Sequence, residues 1–355
     1  MIRYEHLEQY ELKLITKTPV FVGSGREYNK RDYYFDAKNK KVHFINIPGM
    51  MSMLYSKNLI NEYEEFILNR PYENLNHFFR DYNISTSEIN LITDYTANAA
   101  DAIVEGKSFA GVMQFVRDPQ HRPYIPGSSV KGCLRTVLLW KLIQQSNQNE
   151  LVNDYKKARK VEANYLNTVI LRKDEPHDEI NSIMRGISIS DSLPIDNDRM
   201  ILTRKIDVST SGKSKTVNVV REAIAPETTV KFVLTLDKSV DKNLDDKLIM
   251  EAVKNFASYY KETYLSSFHI PEDAVNVSGN FIVFGGGSGY FGKNIAYPIY
   301  GKALAVKKVS EIMKDKFEKH YHEKDVVLGI SPHMLKYTKY QSRLYQYGVC
   351  EVVIN

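Results

Sequence analysis

The stretch FIVFGGGSGYFGKN, residues 281–294, carries the densest set of residues suited to phosphate chemistry. Gly287, Gly289 and Gly292 satisfy G-x-G-x-x-G, the spacing that lets a backbone approach a pyrophosphate. Gly287, Gly292 and Lys293 also satisfy the first seven places of G-x-x-x-x-G-K-[ST], whose last hydroxyl ligates Mg²⁺. Asn294 stands where that hydroxyl belongs, and Tyr290 and Phe291 fill the cradle. The following IAYPIY reads as β-like with a proline, so no helix N-terminus is expected to face a phosphate. Nucleotide hydrolysis and dinucleotide binding both fail on these grounds. What remains is a loop in which Gly285, Gly286, Gly287 and Gly289 let backbone NH groups meet a bulky anion, with a wide hairpin turn as the plain alternative.

Three basic groupings accompany the loop. In IPGSSVKGCLRT, Lys131 and Arg135 lie four apart in the first turns of a helix that Ser128 or Ser129 would cap. That spacing is either a phosphate seat near free NH groups or an ordinary solvated face. Residues 203–221 carry Arg204, Lys205, Lys213, Lys215 and Arg221 against one acid, Asp207, in two β-like arms around STSGKSK. A basic hairpin of this kind suits a nucleic-acid backbone; the alternative is a solubilising loop. Its tip, 209–215, is expected to be mobile until a ligand or neighbour orders it. In SPHMLKYTKYQSRLYQYG, Lys336, Lys339 and Arg343 interleave with Tyr337, Tyr340, Tyr345 and Tyr347, and 326–350 contains no acid. Cations for phosphates and aromatic faces for bases are what single-stranded nucleic acid requires.

Catalytic and metal-binding groups are sparse. His177 and Asp178 form an HD dipeptide in a polar loop without a second pair at metal spacing. His320 and His322 are two apart, hence on different faces of a helix. Asp191, Asp196 and Asp198 flank a proline turn and suit capping. No catalytic residue, metal or cofactor is expected.

The elements that must position these residues follow from composition and period. With 355 residues, 43% hydrophobic and 26% charged, the chain supports one large or two ordinary globular domains. A net charge of +5 permits a polyanion without demanding one, so clustering must decide. The 24 tyrosines against one tryptophan suit surfaces that stack and hydrogen-bond. Two cysteines and the charged start MIRYEHLEQYELKL point to a reduced, soluble, cytoplasmic protein without signal peptide or membrane span. Tyr10, Leu12 and Leu14 mark a strand that TPVFVGSG ends; residues 50–105 read as a helical insertion. Val130, Leu134, Val137 and Leu138 stripe a long helix, 144–180 is a polar connection with some helix, and RGISISDSLP returns to strand. Val230, Phe232, Leu234 and Leu236 share one strand face, and Ile249, Val253, Phe256 and Tyr260 one helix face. Residues 303–322 read as a helix and LYQYGVCEVVI as a closing strand. The order strand, helix, strand, hairpin, strand, helix is that of a ferredoxin-like α+β unit.

In that order, IPGSSVKGCLRT, ISISDSLP, TRKIDVS…REAIAPET, FGGGSGYFGK and SPHMLKYTKYQSRLYQYGVCEV resemble the RAMP superfamily of CRISPR-associated proteins. Within it the likeness is to the terminal backbone subunit of type III-A (Csm) effector complexes, from TPVFVGSG to the last strand. The resemblance implies an α+β, ferredoxin-like (RRM-type) RAMP fold of two units. Residues 1–240 would hold the first, with the insertion and the basic hairpin; 241–355 would hold an abbreviated second with the glycine loop. It implies a non-catalytic subunit that binds CRISPR guide RNA, caps the backbone towards the guide's 3′ end and supports maturation of that end. Implied partners are the neighbouring backbone RAMP subunit and the small subunit, with target RNA and a host maturation nuclease beyond them. The RNA-binding set is then Lys131, Arg135, Arg204, Lys205, Gly285, Gly286, Gly287, Gly289, Lys293, Lys336, Lys339, Tyr340 and Arg343. The alternative within the superfamily is a metal-independent endoribonuclease, whose catalytic histidine has no counterpart near the amino-terminal helix here.

Overall fold

The computed structural model describes residues 5–103, 109, 111–146, 158–168 and 171–355. Strands in the first part are β1 Leu7–Thr16, β2 Gly23–Asn29, β3 Tyr33–Asp36, β4 Lys41–Ile45, β5 Thr93–Asn98 and β6 Gly111–Phe115. Strands β7 Ile187–Ile189, β8 Met200–Ser209, β9 Ser214–Ile224 and β10 Thr229–Asp237 occupy the middle. The chain closes with β11 Phe281–Val283, β12 Met334–Tyr340, β13 Arg343–Gln346 and β14 Val349–Ile354. Helices are α1 Ile47–Ser56, α2 Ile60–Asn69, α3 Leu75–Asp81, α4 Thr86–Leu91, α5 Gly127–Gln145 and α6 Ala158–Leu166. After them come α7 Asp246–Tyr259, α8 Ala296–Lys316 and α9 Asp325–Leu328. Among the described residues no helix is long and apolar enough to cross a membrane.

Period-2 alternation places Leu12 and Leu14 of β1 opposite Phe232 and Val230 of β10, all buried. The five-stranded sheet runs β11-β14-β1-β10-β7, antiparallel throughout. Its β7-β10-β1-β14 portion has the 2-3-1-4 strand order of a ferredoxin-like unit, with α5 and α7 packed together against it. The expected stripes of α5 (Val130, Leu134, Val137, Leu138) and α7 (Ile249, Val253, Phe256) are buried in this core, as is Tyr260 just beyond α7. A second sheet runs β2-β6-β9-β8-β5-β4-β3, and off this path β12 pairs with the Ile206–Ser209 end of β8 and β13 pairs with β12. The fold is therefore α+β on two sheets, and the last third of the chain supplies strands to both.

Several sequence expectations change here. The helical insertion is α1 to α4, with its own core around Met50, Leu54, Phe66, Phe78 and Phe79. It ends earlier than expected, because Tyr95 and Ala97 alternate inward as strand β5 against β4, Phe44 facing Tyr95. Residues 104 and 105 lie outside the described residues, as do 147–157 and 169–170 of the polar connection, where α6 supplies the described helix. IAYPIY is not β-like: it forms a short helical segment at the start of α8, set off from the longer part by a kink at Gly301 (φ +67°), with Pro298 in the first turn, where a missing NH costs nothing. Helix α8 stops at Lys316, so 318–324 continue as two 3₁₀ turns. The expected closing strand is two strands in different sheets. Gly348 (φ +84°) makes the break, and a Cβ there would lie 2.2 Å from the Phe284 carbonyl oxygen.

Candidate nucleic-acid interface

Hairpin β8–β9, the glycine loop, the segment after α8 and the start of β12 enclose a cavity of about 1120 Å³. Its lining carries eight Lys and Arg side chains (among them Lys205, Lys215, Arg221, Lys293, Lys319 and Lys336) against the single acid Asp207. Asp207 is shared: Lys205 Nζ lies 3.0 Å from Oδ2 and Lys336 Nζ 2.8 Å from Oδ1. One carboxylate cannot balance this wall, so the cavity is electropositive. Burial presses the ammonium pKa of Lys293 and Lys336 downward, a cost that an anion in the cavity would relieve.

Arg221, on β9, is the most telling group. Its guanidinium lies 5.6 Å from the Phe21 ring centroid and 5.7 Å from that of Tyr347. Its Nε and Nη1 are buried without a hydrogen-bond partner. A guanidinium held between two rings with unpaired donors at an electropositive cavity is pre-organised for an oxyanion. Gly287, with φ +79°, passes so close that a Cβ would sit 3.3 Å from Arg221 Cζ and Nη1.

The glycine loop divides between two tasks. Gly287 and Gly289 line the cavity. Gly285 and Gly286 instead meet the chain's own TPVFVGSG segment: the Gly286 NH donates to the Phe21 carbonyl at 2.6 Å, and a Cβ on Gly285 would lie 2.4 Å from that oxygen. The expected free NH at Gly286 is therefore spent inside the fold. Lys293 Nζ donates to the Gly285 carbonyl at 2.7 Å and pins the loop. Asn294 is buried, donates to the Tyr290 and Phe291 carbonyls, and accepts the first α8 NH, from Ala296. Contrary to expectation a helix does open after the glycines; the Ala296 NH at its start is taken by Asn294 Oδ1, and Asn294 supplies no Mg²⁺-ligating hydroxyl.

Of the expected set, Lys205, Gly287, Gly289, Lys293 and Lys336 converge on the cavity; the others do not. Arg204 points to the opposite strand face, is 2% exposed and donates from Nε to the Ala102 carbonyl at 2.8 Å. The turn that carries Lys131 and Arg135 is built differently from the expectation. Pro126 holds the cap position in place of Ser128 or Ser129, the Gly127 NH donates to Asp191 Oδ1 at 2.9 Å, and Arg135 pairs with Glu162. Lys339, Tyr340 and Arg343 sit at the outer end of the β12–β13 hairpin, where Tyr340 packs edge-on to Tyr345. Tyr337 and Tyr347, expected as stacking faces, are core residues. The hairpin tip is not free either: the His269 NH donates to the Thr210 carbonyl at 2.9 Å, and β12 pairs along β8 as far as Ser209.

The residues missed were Arg221, named only as part of the basic hairpin, and the Lys- and His-rich 316–324. The run KFEKHYHEK carried that second signal. Because α8 has already ended, His320 and His322 both line the cavity instead of taking opposite helix faces.

The chain thus combines a two-sheet α+β fold containing a ferredoxin-like unit with a glycine loop beside a basic cavity. The RAMP superfamily profile matches residues 13–290. The chain is 32% identical over 300 residues to the CRISPR system Cms protein Csm5 of Streptococcus thermophilus, covering 81% of this chain and 80% of that one. It is 25% identical to that of Enterococcus italicus over 96% of both chains. Its fold superposes with a TM-score of 0.70 on a chain of the Csm–crRNA–target RNA ternary complex of a type III-A CRISPR-Cas system, at 15% identity, covering 97% and 100%. The crystal structure of T. onnurineus Csm5 gives 0.66 at 16% identity, covering 96% and 99%. The chain belongs to the RAMP superfamily, whose Csm5 proteins it resembles along most of its length.

Proposed function

We propose that the chain is a non-catalytic, RNA-binding structural subunit of a type III-A CRISPR effector complex. It caps the complex's backbone near the 3′ end of the guide RNA and supports maturation of that end. The observation that carries the RNA contact is Arg221, with unpaired donors between two aromatic rings on a cavity whose wall is overwhelmingly cationic. The likeness to Csm5 proteins, and to a chain of a complex named for crRNA and target RNA, supports guide RNA, target RNA and other Csm subunits as partners. Lys205, Gly287, Gly289, Lys293 and Lys336 belong to the same contact surface, with Lys339, Tyr340 and Arg343 further along the β12–β13 hairpin.

The purified chain is expected to bind single-stranded RNA with little base preference and with an affinity that falls steeply as salt rises. Phosphate neutralisation releases counterions, so the logarithm of the binding constant drops by about 0.7 per neutralised phosphate for each tenfold rise in salt. Fluorescence anisotropy across a salt series measures this, and a flat response refutes the assignment. Cleavage of repeat RNA by the purified chain in EDTA would replace this reading with the endoribonuclease one.

Gly287→Val is expected to weaken RNA binding by at least about tenfold. A β-branched residue disfavours a φ of +79°, and its side chain displaces the Arg221 guanidinium. RNA recovered with the variant complex at wild-type levels would reduce the loop to a plain turn.

A further inference from the structure

We infer that His322, Asp325 and His333 form a binding site for one transition-metal cation of the Zn²⁺ type. Each offers a ligand atom, and these atoms all lie within 4.8 Å of one another. His322 Nδ1 is 3.0 Å from Asp325 Oδ2, and His333 Nδ1 contacts Oδ1 of the same carboxylate. Asp325 is fully buried and His322 nearly so, while both imidazoles line the basic cavity, which gives an ion its way in. Two imidazoles and one carboxylate are the three protein ligands of a four-coordinate zinc site, with the fourth place left for water. Imidazole nitrogen selects Zn²⁺ and its neighbours over Mg²⁺ and Ca²⁺, which want oxygen alone.

The surroundings are built to hold these ligands. Ser331 Oγ donates to Asp325 Oδ2, and the Ser331 NH donates at 3.1 Å to the buried hydroxyl of Tyr297. Such outer hydrogen bonds fix the orientation of ligating groups. The ligands lie three and eight residues apart, in the 3₁₀ turn His322–Lys324, at the start of α9, and just before β12. A bound ion would thus tie the turns after α8 to the base of the strand that carries Lys336. The spacing matches no short zinc motif, because the chain turns twice between the histidines.

The competing reading is a purely structural hydrogen-bonded cluster of His322, Asp325 and His333 with no ion bound. After dialysis against EDTA, the full chain titrated with ZnCl₂ by calorimetry is expected to take up one equivalent, unaffected by millimolar MgCl₂. His333→Ala, at the rim, should abolish this uptake while circular dichroism stays native; His320→Ala, a neighbour without a ligand role, should keep it. Absence of uptake by the wild type, or uptake retained in both His333→Ala and His322→Ala, overturns the site. Should His333→Ala fail to fold, the Co²⁺-loaded wild type decides: intense visible absorption of a four-coordinate ion supports the site, and the weak bands of the hydrated ion overturn it.

Discussion

Replacing Arg221 with methionine is expected to lower the affinity for single-stranded RNA by about 10- to 150-fold. That range is the roughly 1.5–3 kcal/mol contributed by hydrogen bonds to a charged group. Methionine keeps an apolar stem between Phe21 and Tyr347, so the fold should survive and the loss should lie in binding alone. Anisotropy titrations would show the weaker affinity together with a salt slope reduced by about one phosphate's worth. Arg343→Met, exposed at the outer end of the β12–β13 hairpin, serves as the control and should cost only a few-fold. Wild-type affinity in Arg221→Met would remove the cavity from the RNA path.

The second large effect is on stability. Arg117 Nη2 meets Glu222 Oε1 at 3.1 Å, with the two side chains 3% and 0% exposed. Glu222 Oε2 also accepts the Phe115 NH at 2.9 Å, and the Arg117 guanidinium stacks 3.5 Å from the Tyr95 ring centroid. The pair binds β9 to β6 and to β5, directly behind Arg221. Arg117→Met strands a buried carboxylate and should destabilise the fold by about 3–5 kcal/mol in urea denaturation. Glu222→Gln on that background should recover part of the loss. Burial already pushes the Glu222 pKa up, against the pull of Arg117, and loss of the arginine pushes it further. A folded carboxyl with a raised pKa binds more protons than the unfolded one, so stability falls as pH rises above the usual carboxylate range. The variant's deficit should therefore be smaller at mildly acidic pH than at neutral pH. A deficit below about 1 kcal/mol, or one indifferent to pH, would show that Glu222 is not isolated by the change.

Local pattern was enough for the elements that carry the core. The alternation of Val230, Phe232, Leu234 and Leu236, and the stripe of Val130, Leu134, Val137 and Leu138, depend only on the periods 2 and 3.6, and all eight residues are buried. Asn294 by its type alone departs from the P-loop pattern, which needs a Mg²⁺-ligating hydroxyl at that place, and the ordered motifs pointed to the superfamily. Where local signals were ambiguous they misled: a proline in IAYPIY suits a strand edge or a first helical turn, and only packing chose the helix.

Which cations converge was a tertiary decision. Arg204 and Lys205 are neighbours in sequence, yet strand alternation sends one into the core and the other to the cavity, and the pairing of β8 with β12 brings Lys336 to Asp207 across 129 residues. Arg135 was indistinguishable from Lys205 until α6 placed Glu162 beside it. Arg221 read as one charge among several in a hairpin; its unpaired donors exist only because Phe21, Tyr347 and Gly287 close around it from distant segments. Residue type and period are properties of a short stretch, whereas convergence depends on strand register and on which partner arrives first, and those are set by the whole chain.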